Sequence, residues 1–149
     1  GIRRCGKSVM LELIKQELTE SGVSPIQFVS VNFEDMSCSH LQTAQALHDE
    51  ITKRAAETEG KVYLFFDEIQ EVKDWEKCIN SFRVSLDCDI YITGSNAKLL
   101  SGELATYLAG RYVEFVIYPF SFGEFIELYR SIAPDDDHSA KREDSGYLL

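Results

Sequence analysis

Apolar positions along the chain recur with two alternating spacings. In "KSVMLELIKQEL", Val9, Met10, Leu13, Ile14 and Leu18 form one broad helical face, and "ESGVSP" stops the helix. From Ile26 to Phe33 the text is continuously apolar and β-branched, which predicts a buried parallel strand. "LQTAQALHDEITKRAAE" returns to the helical spacing, with Leu41, Ala44, Leu47, Ile51 and Ala55 on one face and Gly60 closing the unit. Val62 to Phe66 is a second apolar run that leads directly into Asp67 and Glu68. In "DWEKCINSFRVSL", Asp74 is placed to cap a helix, and Trp75, Cys78, Ile79, Phe82 and Leu86 make one stripe. "CDIYITGSN" reads as a further short strand ending in Thr93, Gly94, Ser95 and Asn96. "AKLLSGELATYLAG" reads as a helix despite Gly102, and "RYVEFVIYP" as a fifth strand stopped by Pro119. "SFGEFIELYRSI" opens with Ser121 and Glu124 in capping-box spacing. Ala133 to Gly146 is polar and highly charged, the text of a linker or exposed loop.

Strands that alternate with helices predict an α/β fold with a mainly parallel sheet. The chain has 149 residues, 44% of them hydrophobic, enough for one domain with its own core. The formal net charge of -10 argues against a non-specific nucleic-acid binder, and no nucleic-acid contact is evident in this segment. No apolar run approaches the ~20 residues needed to span a bilayer, so no membrane partner is expected. Four cysteines (Cys5, Cys38, Cys78 and Cys88) show no C-x-x-C spacing, and His40, His48 and His138 are scattered. Free thiols in a reducing cytoplasm fit this usage.

The chemistry enters with the first eight residues, "GIRRCGKS". The pattern is G-x-x-x-x-G-K-[ST], with Gly1, Gly6, Lys7 and Ser8 at the defining places and Ile2, Arg3, Arg4 and Cys5 between them. Glycines permit the tight wrap that turns backbone N–H groups toward phosphate oxygens, and Lys7 is placed to bridge the β- and γ-phosphates. The Ser8 hydroxyl is placed to bind Mg²⁺, and the helix that starts here turns its positive end to the anion. Arg3 and Arg4 are positioned to cap the site, and Cys5 is a small side chain that fits the loop. The plain alternative is a Gly-flanked turn before an ordinary helix. Such a loop follows a strand, and none precedes Gly1, so the reading is of a domain truncated at its N terminus.

An acidic pair at the end of a buried strand is costly unless it faces a cation or water. With a phosphate loop beside it, Asp67 would hold the Mg²⁺ shell and Glu68 would polarise an attacking water; otherwise Asp67 is a helix cap. Ser95 and Asn96, at the end of the next strand, are placed to orient water or touch the γ-phosphate, or else make a plain turn. Ligands of parallel sheets bind at the carboxyl ends of the strands, which gathers these three stretches at one edge.

Taken together, "GIRRCGKSVML", "FFDEIQEVKDWEKCINSFR" and "DIYITGSNAKLLSGELATYLAGRYVEFVIYPFSFGEF" resemble prokaryotic AAA-type ATPases related to the archaeal ATPase group. The resemblance covers almost all of residues 1–130. It implies a P-loop NTPase three-layer αβα sandwich of the additional-strand, catalytic-Glu branch, here with its first strand missing. In that branch the acidic-pair strand is separated from the P-loop strand by the strand ending in Ser95–Asn96. It implies an ATP-binding domain over 1–130 and a polar linker, 131–149, toward a missing C-terminal domain. By position, Gly1, Gly6, Lys7 and Ser8 match the phosphate loop, Asp67 the Mg²⁺ aspartate, Glu68 the water-activating glutamate, and Ser95 or Asn96 the γ-phosphate sensor. Arg111, at the start of the fifth strand, lies opposite its own site, and the resemblance implies that it reaches the neighbour's nucleotide in a homo-oligomer; the plain alternative is a surface arginine paired with local carboxylates.

The leading expectation is a cytoplasmic ATPase, with ATP and Mg²⁺ as ligands, that drives conformational change in an attached domain or partner. The alternative is a nucleotide-dependent switch or interaction module with little turnover. A small-molecule kinase ranks behind both, because neither an acceptor pocket nor a lid is legible. ATP rather than GTP rests on the resemblance alone.

Overall fold

The computed structural model describes residues 6–94, all of them in the first of two compact units of the chain. Helix α1 (Lys7–Glu20) is followed by strand β1 (Phe28–Asn32), helix α2 (Ala44–Ala56), strand β2 (Val62–Asp67), helix α3 (Trp75–Ser85) and strand β3 (Cys88–Ile92). The three strands form one sheet in the order β1-β2-β3, and both pairings are parallel. Parallel neighbours need a crossover, and α2 and α3 supply the two. The register sets Asn32 beside Asp67 and Phe66 beside Ile92. The strand that runs toward Ser95 and Asn96 is therefore the direct neighbour of the acidic-pair strand, as the resemblance implies. The expected α/β class with a parallel sheet is what forms.

Alternation along the strands gives the sheet two faces. Val29, Val31, Val62, Leu64 and Phe66 turn to one side, where Leu47 and Ile51 of α2 and Trp75, Cys78, Ile79 and Phe82 of α3 close over them. Full burial of a Leu or Phe side chain is worth roughly 1.5–3 kcal/mol. On the other face Phe65 lies buried between Phe28, edge-on at 5.6 Å, and Tyr91, stacked at 4.9 Å. Helix α1 covers that face: Lys15 Nζ stands 5.2 Å above the Phe65 ring, and Leu11 is buried. The result is a three-layer αβα arrangement, with α1 on one side of the sheet and α2 and α3 on the other.

Several expectations shift. The anticipated face of α1 is half wrong: Val9, Met10 and Leu13 are exposed, Ile14 and Leu18 half-buried, and Leu11 is the helix's buried residue. Leu11, Lys15 and Leu18 fall at i, i+4 and i+7, which leaves Val9 and Leu13 on the far side of the helix. Strand β1 begins at Phe28 rather than Ile26, because Pro25–Gln27 makes a 3-10 turn closed by a Ser24–Gln27 capping box, and Ile26 is 75% exposed. Strand β3 forms as expected and is half-buried along its length. Leu41 is buried but lies in a 3-10 turn, since Thr43 caps α2 through its hydroxyl, which accepts from Ala46 N at 3.3 Å. Asp74 holds the cap position of α3 but makes no side-chain cap bond; it adopts a left-handed backbone (φ 58°), which Asp tolerates, and its carboxylate lies 3.6 Å from Lys77 Nζ. The two helices (in "AKLLSGELATYLAG" and "SFGEFIELYRSI"), the fifth strand and the linker expected beyond Asn96 lie outside the described residues.

Candidate functional site

At the carboxyl edge of the sheet, side chains from three remote stretches meet. Gly6 takes a left-handed conformation (φ 83°) that L side chains rarely adopt, and this turn launches α1 at Lys7. The helix thereby delivers Lys7 and Ser8 to the ends of β2 and β3. Lys7 Nζ lies 2.9 Å from Glu68 Oε1 and donates to the Gly94 carbonyl at 3.1 Å. Both partners of the ion pair are mostly shielded, with side chains 14% and 16% exposed. The Ser8 hydroxyl donates to Asp67 Oδ2.

Asp67 is a buried carboxylate, a placement that needs hydrogen bonds to both oxygens. Ser8 satisfies one and the hydroxyl of Thr93, itself buried, donates to the other. Thr93 is placed there by register: Phe66 and Ile92 are opposite one another, so the next residues, Asp67 and Thr93, are neighbours as well. Its hydroxyl also accepts the Glu68 N–H at 3.1 Å, and its backbone N–H bonds the Phe66 carbonyl at 2.9 Å. One side chain thus fixes both acidic residues to β3.

Glu68 is the point where the chain leaves the sheet. Its backbone is left-handed (φ 56°, ψ 48°), and a 3-10 turn, Ile69–Glu71, follows at once. The turn brings Gln70 back beside Glu68, where the Gln70 amide donates to Oε2. Burial alone would raise the Glu68 pKa. Hydrogen bonds from Lys7 and Gln70, together with the Lys7 charge, outweigh it and hold the carboxyl below the ordinary glutamate range. Glu68 is therefore a charged carboxylate at neutral pH.

The structure brings together Gly6, Lys7, Ser8, Asp67 and Glu68 of the expected site. Gly1, Ile2, Arg3, Arg4, Cys5, Ser95, Asn96 and Arg111 lie outside the described residues. Two members carried no site assignment from the sequence: Thr93, read only as one of the small polar residues that end the strand, and Gln70. A hydroxyl residue at the end of the strand next to an acidic one was the available signal for Thr93; nothing in the text marks Gln70. Cys38, Cys78 and Cys88 are free thiols. His48 stacks on Phe82 at 5.5 Å and bonds Ser81 at 3.1 Å, between α2 and α3.

Among the described residues no group of three or more His, Cys, Asp or Glu is placed to hold a metal ion. The paired Ser8 and Asp67 oxygens do fit Mg²⁺, a hard cation that keeps most of its waters and takes one or two protein oxygens beside substrate phosphate. No described helix is long and apolar enough to cross a membrane.

A family described as AAA domain matches residues 1–126. An uncharacterized protein of Haemophilus influenzae is 46% identical over 126 residues, which is 85% of this chain and 32% of that protein. An uncharacterized protein of Methanocaldococcus jannaschii is 36% identical over 128 residues, 85% of this chain and 27% of that protein. The chain thus spans about a third of the length of these curated relatives. No solved structure matches it.

Proposed function

The chain belongs to the AAA domain family, and from that premise we propose that its carboxyl edge binds and hydrolyses Mg-ATP. The observation that carries this reading is the convergence of Lys7 and Ser8 on Glu68 and Asp67, about 60 residues away in sequence, at the strand ends where parallel sheets bind ligands. Gly1, Ile2, Arg3, Arg4, Cys5 and Gly6 wrap the phosphates with backbone N–H groups. Lys7 exchanges its Glu68 partner for phosphate oxygens. Ser8 and Asp67 would hold Mg²⁺, which would supply positive charge against the phosphates. Glu68, freed from Lys7 and ionised, accepts a proton from water. The water oxygen then bonds to the γ-phosphorus as the bond to the β–γ bridging oxygen breaks, leaving ADP and phosphate. Ser95 or Asn96 contacts the γ-phosphate, and Arg111 reaches a neighbouring protomer's nucleotide in a homo-oligomer. Hydrolysis drives conformational change in an attached domain or partner in the cytoplasm.

Removing the base tests this reading. Glu68→Gln should keep Mg-ATP binding and lower phosphate release roughly 100-fold or more, measured with no acceptor other than water. Undiminished release would remove Glu68 from the chemistry, and ADP formed only with an added acceptor, the phosphoryl group ending on that acceptor rather than as free phosphate, would make the protein a kinase. A second reading, a nucleotide switch with little turnover, is favoured by one observation: both Glu68 oxygens are engaged, by Lys7 on one side and Gln70 on the other. Turnover in the wild-type protein too slow to follow by steady-state phosphate release, with tight binding retained, would select it.

A further inference from the structure

The Gln70 amide sits against the carboxylate that the proposed chemistry uses, and the surrounding backbone is built to put it there. Glu68 has a left-handed backbone, which a residue of its size rarely adopts and which marks a functional constraint when surrounding structure enforces it. The consequence of that kink is the 3-10 turn Ile69–Glu71, whose second residue is Gln70. The turn is rigidly held. Ile69 has no exposed surface, its N–H bonds the Thr93 carbonyl at 3.2 Å, and the Glu71 and Val72 N–H groups close on Glu68 and Ile69 at 3.1 and 2.9 Å. An amide carried on such an element is fixed in place before any ligand arrives.

The two holders of Glu68 differ in what phosphate does to them. Lys7 is a cation, and an incoming phosphate competes with Glu68 for it. The Gln70 amide is neutral, so a phosphate gains little by drawing it away. Its orientation is fixed by Glu68 itself, because the amide oxygen facing a carboxylate would be repelled, so the nitrogen must donate. That leaves Gln70 Oε1 as a buried acceptor with no hydrogen-bond partner among the described residues. No water reaches that oxygen while Lys7 holds Glu68; once Lys7 turns to phosphate, a water entering beside the carboxylate can offer one proton to Gln70 and another to Glu68.

We infer that Gln70 is a positioning residue for Glu68: its amide keeps the carboxylate in place when Lys7 turns to phosphate, and its oxygen orients the water that Glu68 deprotonates. The inference rests on the reading of Glu68 as general base. Gln70 itself gains and loses no proton in this role.

The test compares Gln70→Met, Gln70→Glu and Glu68→Gln with wild type in the full-length protein, reading steady-state phosphate release and calorimetric Mg-ATP affinity. Methionine matches glutamine in length and cannot donate. Gln70→Met should lower kcat about tenfold while KM and the calorimetric Kd stay within about twofold. Gln70→Glu, nearly isosteric but repelled by Glu68, should be slower still with the same retained binding. A filler role would reverse that ranking, since the isosteric side chain would then be the milder change. The inference is overturned if kcat of Gln70→Met stays within about twofold of wild type, or if its loss appears as a matching rise in KM and Kd. It is overturned alone if Glu68→Gln is inactive meanwhile. If Glu68→Gln retains full turnover, the general-base reading falls and takes this inference with it.

Discussion

On one side of the sheet Leu64 and Phe66 press against α2 and α3 with no exposed surface; at its carboxyl edge, one residue further on, Asp67 and Glu68 are held by hydroxyls, an amide and an ammonium. The first region has helical stripes and strands that agree with one another, and His48 and Phe82 stack across α2 and α3. The second has a left-handed glutamate, a left-handed glycine and a buried amide oxygen without a partner among the described residues. Departures from local rules gather where the chemistry is proposed; on the packed side the left-handed Asp74 at the α3 cap is the exception among the described non-glycine residues. The edge can carry that cost because the α2–α3 side supplies the apolar burial.

This separation has measurable consequences. The largest is on the packed side. Phe66→Ala should cost about 3–5 kcal/mol in a denaturant titration, the price of a cavity under both crossover helices. Nucleotide affinity of whatever remains folded should hardly change. If affinity fell in proportion to stability, the two regions would be one.

Thr93→Val is the next largest, and it tests the seam between them. The substitution keeps the shape and removes the hydroxyl, leaving one Asp67 oxygen and the Glu68 N–H without partners. A loss of about 1–3 kcal/mol is expected, together with weakened Mg²⁺ dependence of nucleotide binding. A stability change near zero would mean that water replaces the hydroxyl freely.

The smallest effect concerns Cys78, on the packed side. Burial pushes this thiol up to about 11, and its Sγ donates to the Ala44 carbonyl at 2.8 Å. In the unfolded chain it ionises near 9.0. The folded-state value is the higher, so its contribution is full below pH 9.0 and declines as pH rises from there toward 11. Cys78→Ala should flatten that part of the stability–pH curve. At pH 8 the folded protein should leave Cys78 unalkylated while denatured protein reacts; rapid labelling of the folded state would contradict the burial.

How much of this was legible in the text differs between the same two regions. The α3 stripe, Trp75, Cys78, Ile79 and Phe82, is buried as its spacing predicts, because a helix over a sheet has one inward side and a periodic pattern names it. Helix α1 is apolar on several sides, and no periodicity says which one meets the sheet; there Leu11 is buried and Val9 and Leu13 remain outside. Asp67 and Glu68 stood out because charge after five apolar residues needs a partner. Which polar residue meets them is set by strand register, and one place along β3 separates Thr93 from its neighbours. Gln70 depends on a left-handed residue before it, a conformation that glutamate does not announce.

The central claim is that Lys7 exchanges Glu68 for phosphate at this edge. Calorimetric titration of Mg-ATP into the full-length protein, wild type beside Lys7→Ala, tests it most directly. The account predicts saturable binding by wild type and its loss in Lys7→Ala, with the thermal transition of the variant retained. Equal affinity in the two proteins would contradict it.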